Sequence, residues 1–145
     1  MRFLFRRFVL TAFALFALAA SVAPAAAQSD ESPAPWQMVI THQIQAFRDQ
    51  DAPGAFSDAG LMFHAAFPSP EAFFVAIITS GYSPIMESTS HSFGEYRITD
   101  DGVVQVVRMI GKSQELYEAW YQLREEEGAW RVQGVMLQKA AGIGI

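Results

Sequence analysis

Four strand-like runs, joined by short turns that carry glycine, occupy the last third of this chain and limit what it can fold into. They are His91 to Ile98, Val103 to Ile110, Gln114 to Arg124 and Ala129 to Gln138. Thr99-Asp100-Asp101-Gly102 joins the first pair and Glu125-Glu126-Glu127-Gly128 the last pair, each turn closing on a glycine able to take the positive φ of hairpin loops. The pattern predicts an antiparallel meander.

Turns set register, and register sets faces. Pairing Thr99 with Val103, Ile110 with Glu115 and Arg124 with Ala129 collects on one face Tyr96, Ile98, Val104, Val106, Arg108, Ile110, Tyr117, Ala119, Tyr121, Leu123, Trp130, Val132, Gly134 and Met136. This is the expected core face. The other face holds Phe93, Val107, Met109, Leu116, Trp120, Val135 and Leu137 among polar residues, too many large apolar groups for simple solvation.

Upstream the period changes to 3.6. Trp36, Val39, Ile40, Gln43, Ile44 and Phe47 form one stripe, while Thr41, His42, Gln45, Arg48 and Asp49 lie off it, which predicts an amphipathic helix over 36–50. Asp51 is placed to cap a short helix from Pro53 through Ser57, and Gly60 to end it; Leu61 to Phe67 is too short to assign. Ser69, Pro70 and Glu71 open a helix over 70–80 whose run Phe73-Phe74-Val75-Ala76-Ile77-Ile78 is apolar on nearly all sides, so burial is expected. Gly81 suits its C′ position, and Tyr82-Ser83-Pro84 predicts an extended exit.

The chain opens with a basic stretch, Met1 to Arg7, an apolar core, Phe8 to Val22, and small residues Ala25-Ala26-Ala27, so a signal peptide over 1–27 and export to the periplasm or outside are expected. The apolar run, about 15 residues, falls short of the roughly 20 that span a bilayer, so no stable membrane anchor is expected after cleavage. Residues 28–35 read as a mobile polar leader, and 36–140 as one domain. There is no cysteine, which removes disulfides, thiolate metal sites and thiol nucleophiles. Loss of Arg2, Arg6 and Arg7 leaves seven basic against fifteen acidic residues, a formal charge of −8, and no basic cluster. Nucleic acid and anionic membrane surfaces are therefore not expected as partners.

Helices followed by an antiparallel sheet make an α+β fold. The stretches Trp36-Gln37-Met38-Val39-Ile40 with Gln43 to Arg48, Gly81-Tyr82-Ser83-Pro84-Ile85, Phe93-Gly94-Glu95-Tyr96-Arg97 and Trp130-Arg131-Val132-Gln133-Gly134-Val135 carry a resemblance to the bacterial domain of unknown function 4864, within the NTF2-like (cystatin-like cone) superfamily. That resemblance implies N-terminal helices packed on a curved four-stranded sheet with a pocket between them. The superfamily includes isomerases, cyclases, transport factors and interaction domains, so the fold does not choose an activity.

Arg108 is the most informative single residue in this register, a charge on an otherwise apolar face beside Gly94, Tyr96 and Tyr117. With Tyr121, and with His64 at the mouth, it predicts a pocket for a small apolar or anionic ligand, since guanidinium grips a carboxylate in two-pronged fashion. The plainer reading is an arginine near the sheet end, its stem packed and its head solvated or paired with an acid from a helix. An isomerase-like enzyme would need a carboxylate base, and only Asp49 or Asp58 from the helices could supply it. His42, His64 and His91 show no ligand spacing, Gly111-Lys112-Ser113 lacks a phosphate-loop setting, and no G-x-S-x-G elbow occurs, so no metal, cofactor or catalytic residue is assigned. The competing reading is a protein-interaction module, a homodimer or a partner surface, acting through Trp120, Leu116, Met109, Val107, Val135 and Leu137 on the outer sheet face.

Overall fold

The amphipathic stripe becomes α1, Pro35–Arg48, with Ile40, Gln43, Ile44, Ala46 and Phe47 buried along one side. The computed structural model describes residues 32–140. The expected signal peptide and the first half of the polar leader, residues 28–31, lie outside them. Pro35 sits in the first turn, where a missing N–H costs nothing, and the Ala34 N–H donates to Gln37 Oε1 at 3.0 Å. The Asp51 carboxylate accepts from the Gly54 N–H at 3.1 Å and caps α2, Ala52–Ser57.

Gly60 opens α3, Leu61–Ala66, instead of merely closing α2. The segment between them is tied to the sheet: Val132 N–H donates to the Asp58 carbonyl and Gly60 N–H to the Val132 carbonyl, both at 2.8 Å. Ser69 caps α4, Pro70–Ile77, accepting from Ala72 N–H at 3.1 Å.

Two expectations for this region are corrected. Only Phe73 of α4 is fully buried, and Val75 is 58 % exposed, because α4 lies on the outside of the helical layer with one flank open. The exit is not extended. A wide π-type turn, Ile78–Tyr82, leads directly into α5, Ser83–Glu87, with Ser83 and Pro84 in its first turn. Gly81 at φ 97° absorbs the reversal, a conformation that side chains with a Cβ resist.

The sheet is β1, Ser90–Thr99; β2, Gly102–Ile110; β3, Leu116–Glu126; and β4, Ala129–Lys139, paired antiparallel in the order β1-β2-β3-β4. The α+β arrangement and the meander are as the sequence predicts, but the register is not. Thr99 pairs with Gly102, and Ile110 with Leu116. Each turn differs by one residue from expectation, so β2 is inverted while the second shift restores β3. Val103, Gln105, Val107 and Met109 face the helices and are buried to 1 % exposure or less.

At the last turn, Glu127 at φ 53° and Gly128 at φ 80° make a two-residue hairpin with Glu126 opposite Ala129. Two bulges complete the pattern. Gly94 and Glu95 together oppose Val106 alone, one extra residue, which puts Phe93 and His91 on the helix side together with Tyr96. Gln133 is extra between Val132 and Gly134, which turns Val135 and Leu137 inward and Gly134 and Met136 outward.

The core is built from α1, α2, α4 and the inner sheet face, with Phe73 at the centre of an aromatic cluster. Its ring centroid lies 5.1 Å from Phe56, 5.6 Å from Phe63, 5.7 Å from Phe67 and 6.2 Å from Phe47.

Candidate functional site

A cavity of about 370 Å3 lies between the helices and the inner sheet face. Gln43 and Phe47 come from α1, Ala59 from the α2–α3 link, Phe63 from α3, and Phe73 and Ile77 from α4. The wide turn adds Ser80 and Tyr82, α5 adds Ile85, and the sheet adds Tyr121, Val132, Gly134 and Val135. No charged side chain is among these residues. Ser80 is exposed, so the cavity opens beside the wide turn.

The polar groups of the lining are mostly committed. Gln43 donates to the Ala55 carbonyl at 3.0 Å, the Tyr82 hydroxyl to the Val135 carbonyl at 2.8 Å, and Ser80 to the Ala76 carbonyl at 2.5 Å. Tyr121 differs. It is fully buried at the middle of β3, and its hydroxyl has no hydrogen-bond partner among the described residues. Burial drives its pKa far above the ordinary tyrosine value, against the opposing field of the Arg48 guanidinium.

Of the residues expected to line a pocket, the structure therefore brings only Tyr121 to the cavity. Arg108 is on the outer sheet face, because the one-residue difference at the first turn inverts β2. Its guanidinium meets Glu95 at 3.0 Å and Glu118 at 3.5 Å and lies over Gly94, where a Cβ would come within 2.5 Å of Nη1. The arginine is acid-paired at the surface, with both acids supplied by β1 and β3 rather than by a helix. Tyr96 sits on β1, 56 % exposed, with its ring 5.3 Å from Trp36. Tyr117 is half-buried against the core away from the cavity. His64 is on the exposed side of α3, its ring tilted against Phe56 with centroids 3.9 Å apart.

The outer-face set divides. Trp120 and Leu116 do face outward, between Val106 and Met136 and beside Ile110 respectively. Val107 and Met109 are instead fully buried, and Val135 and Leu137 pack on the core, for the reasons of register and bulge given above. The continuous apolar patch expected there is therefore broken up, with Arg97, Arg108, Glu118 and Gln122 interspersed on that face.

Neither carboxylate suggested as a base reaches the cavity. Asp49 accepts from the Gln45 amide at 3.0 Å at the exposed end of α1. Asp58 is buried and joined by a short hydrogen bond to His42 Nδ1. Burial raises the Asp58 pKa, with His42 and Arg131 opposing, and the bond to Asp58 raises that of His42 above its ordinary 6.5. A histidine whose folded pKa is raised stabilises fully below pH 6.5 and loses that contribution as pH rises through its folded value. His91, lowered chiefly by burial, acts only below 6.5.

Thermal midpoints measured between about pH 7 and 9 should therefore fall with rising pH, and His42→Gln should flatten the slope. The amplitude should stay below about 1 kcal/mol, since the His42 ring is 61 % exposed. Parallel slopes in the two proteins would remove His42 as the source. Among the described residues no group of three or more His, Cys, Asp or Glu is placed to hold a metal ion, and no helix is long and apolar enough to cross a membrane.

The model of a sequence family described as a domain of unknown function, DUF4864, matches residues 28–145. The chain belongs to the DUF4864 family. The match takes in every helix and strand among the described residues, so the cavity is formed wholly within the DUF4864 region. Among solved structures, the DUF4864 chain is similar to an NTF-2 like protein of unknown function from Silicibacter pomeroyi DSS-3. The two share 11 % identity with a TM-score of 0.48 over 73 % of this chain and 93 % of that one. No curated protein matches it.

Most of the cavity lining was hidden in the sequence because it comes from eight separate elements. One signal was present. Gln43 is a polar residue within an apolar helical stripe, and such a residue must be hydrogen-bonded inside the fold or face a cavity; here it does both.

Proposed function

We propose that this DUF4864 protein is an exported binding module that holds a small, apolar molecule between its helices and its sheet. The observation that carries the reading is the cavity of about 370 Å3 walled by Phe47, Phe63, Phe73, Ile77, Ile85 and Val132, without a charged side chain. Binding cavities of small molecules are concave, predominantly apolar and furnished with few polar groups, and usual volumes start at about 300 Å3. The anionic half of the sequence-based expectation loses its support with Arg108, which is engaged by Glu95 and Glu118 on the opposite face.

Export is supported by the basic, apolar and small-residue succession of residues 1–27. The proposal is tested by filling the cavity from α4. Ile77→Trp should keep the fold, since Ile77 is only half-buried, and should weaken the binding of small aromatic hydrocarbons by at least about tenfold, read by calorimetry. Arg108→Met, on the other face, should leave that binding unchanged. Equal affinity in wild type and Ile77→Trp would place any binding site elsewhere.

A further inference from the structure

Four polar side chains line the cavity, and three of them, Gln43, Ser80 and Tyr82, hydrogen-bond to backbone carbonyls. The fourth, Tyr121, is closed off from solvent and bonds to no group among the described residues. Neighbouring groups do not claim it. The Arg48 guanidinium, whose charge acts on the hydroxyl, is bonded instead to Ser88 Oγ, at 3.1 and 3.0 Å, and to His91 Nδ1 at 3.3 Å. Gln105, directly across the strand pair, directs its amide to Trp36, Gln37 and β1.

A buried hydroxyl without a partner forfeits the hydration it had in the unfolded chain and gains nothing in return. Replacing it by hydrogen would stabilise the empty protein. Its presence is explained if an occupant of the cavity supplies the acceptor. The acceptor is a neutral one: no cation lines the cavity to offset a buried carboxylate or phosphate, and an uncompensated charge there would be strongly disfavoured. The positive field of Arg48 favours the negative end of a dipole at this point without neutralising a full charge.

We propose that the cavity takes a neutral, largely apolar molecule carrying one hydrogen-bond acceptor, such as a ketone, ester or ether oxygen, and that the Tyr121 hydroxyl donates to it. This rests on the cavity reading and specifies the chemical class of ligand. The test compares tetralin, its ketone tetralone and its carboxylate analogue, titrated into the full folded protein and into Tyr121→Phe.

The wild type should prefer tetralone to tetralin by about three- to tenfold, the span of one hydrogen bond. Tyr121→Phe should lose that preference, keep its affinity for tetralin and melt at a higher temperature without ligand. A retained ketone preference in Tyr121→Phe, a lower melting temperature, or tighter binding of the carboxylate than of the ketone would each overturn the assignment. Tetralin binding with no ketone preference in the wild type would also overturn it while leaving the apolar cavity intact. If none of the three compounds binds, the cavity reading falls with it.

Discussion

Phe73→Ala is expected to remove about 4–5 kcal/mol of stability, the upper part of the range for truncating a buried aromatic side chain. Phe73 is 2 % exposed and its ring touches those of Phe47, Phe56, Phe63 and Phe67, contributed by α1, α2, α3 and the α3–α4 link. Such tilted and edge-on aromatic contacts add to the area term, and all four are lost at once.

The cost depends on whether the surroundings can collapse into the vacated volume. Here they are poorly able to, since Phe73 already borders the cavity and its loss enlarges an existing void. A domain of this size has about 5–15 kcal/mol in total, so the variant should approach the point at which folded and unfolded chains coexist at room temperature. Denaturant titration should show a much lower midpoint with an unchanged slope, the sign of lost stability without altered compactness. Val75→Ser, two residues along on the exposed flank of α4, should change the midpoint little. A Phe73→Ala loss below about 2 kcal/mol would mean that the helical layer closes over the gap, and the cavity would then be softer than its lining implies.

The helices and their caps were legible because their signals are local. The 3.6-residue stripe from Trp36 to Phe47 and the Ser69-Pro70-Glu71 start are contained in single segments, and α1 and α4 begin where those residues say. The strands were legible for the same reason. Their faces were not, and Gly102 shows why. In the sequence it reads as the turn glycine, yet the turn is Asp100-Asp101, and Gly102 is already paired with Thr99.

Glycine is needed at that position because β3 passes too close for a side chain: a Cβ there would meet the Leu123 carbonyl oxygen at 2.0 Å. That requirement comes from a residue 21 positions away, and misassigning it by one place moved Arg108 from the surface into an imagined pocket. The bulges at Gly94-Glu95 and Gln133 are likewise set by cross-strand partners, so alternation along β1 and β4 could not reveal them. The His42–Asp58 pair joins α1 to the α2–α3 link across 16 positions and has no spacing signature. Tyr121 was found because two errors of register cancelled at β3.

Gln105→Leu should cost about 2–4 kcal/mol, although leucine matches the site's fully buried character. The amide is saturated. Its oxygen accepts from Trp36 Nε1 at 3.0 Å and Gln37 Nε2 at 3.1 Å, and its nitrogen donates to the carbonyls of Gly94 and Val106 at 2.9 Å and of Glu95 at 3.3 Å. It thus holds the bulge of β1 to the start of α1, the place where the edge strand departs from regular pairing. Exchanging a hydrogen-bonded pair for apolar groups is nearly neutral only when both partners go. Here the partners stay, and the indole N–H and the bulge carbonyls must be rehydrated or left bare.

Two comparisons separate that cause from simple packing. In the double variant Trp36→Phe, Gln105→Leu, the orphaned indole N–H is gone, so the two losses should sum to more than the double loss, a coupling readable in a mutant cycle. Gln105→Glu keeps an acceptor for Trp36 but turns the other oxygen on three carbonyls. It should be tolerated better at low pH, where the protonated acid can still donate, and progressively worse as the carboxylate ionises in the core. Hydrogen exchange at the amides flanking Gly94 and Glu95 should quicken in all three variants before the rest of the sheet opens, because the bulge has few other ties. Unchanged protection there, with a Gln105→Leu loss under about 1 kcal/mol, would show that β1 holds its bulge by strand pairing alone.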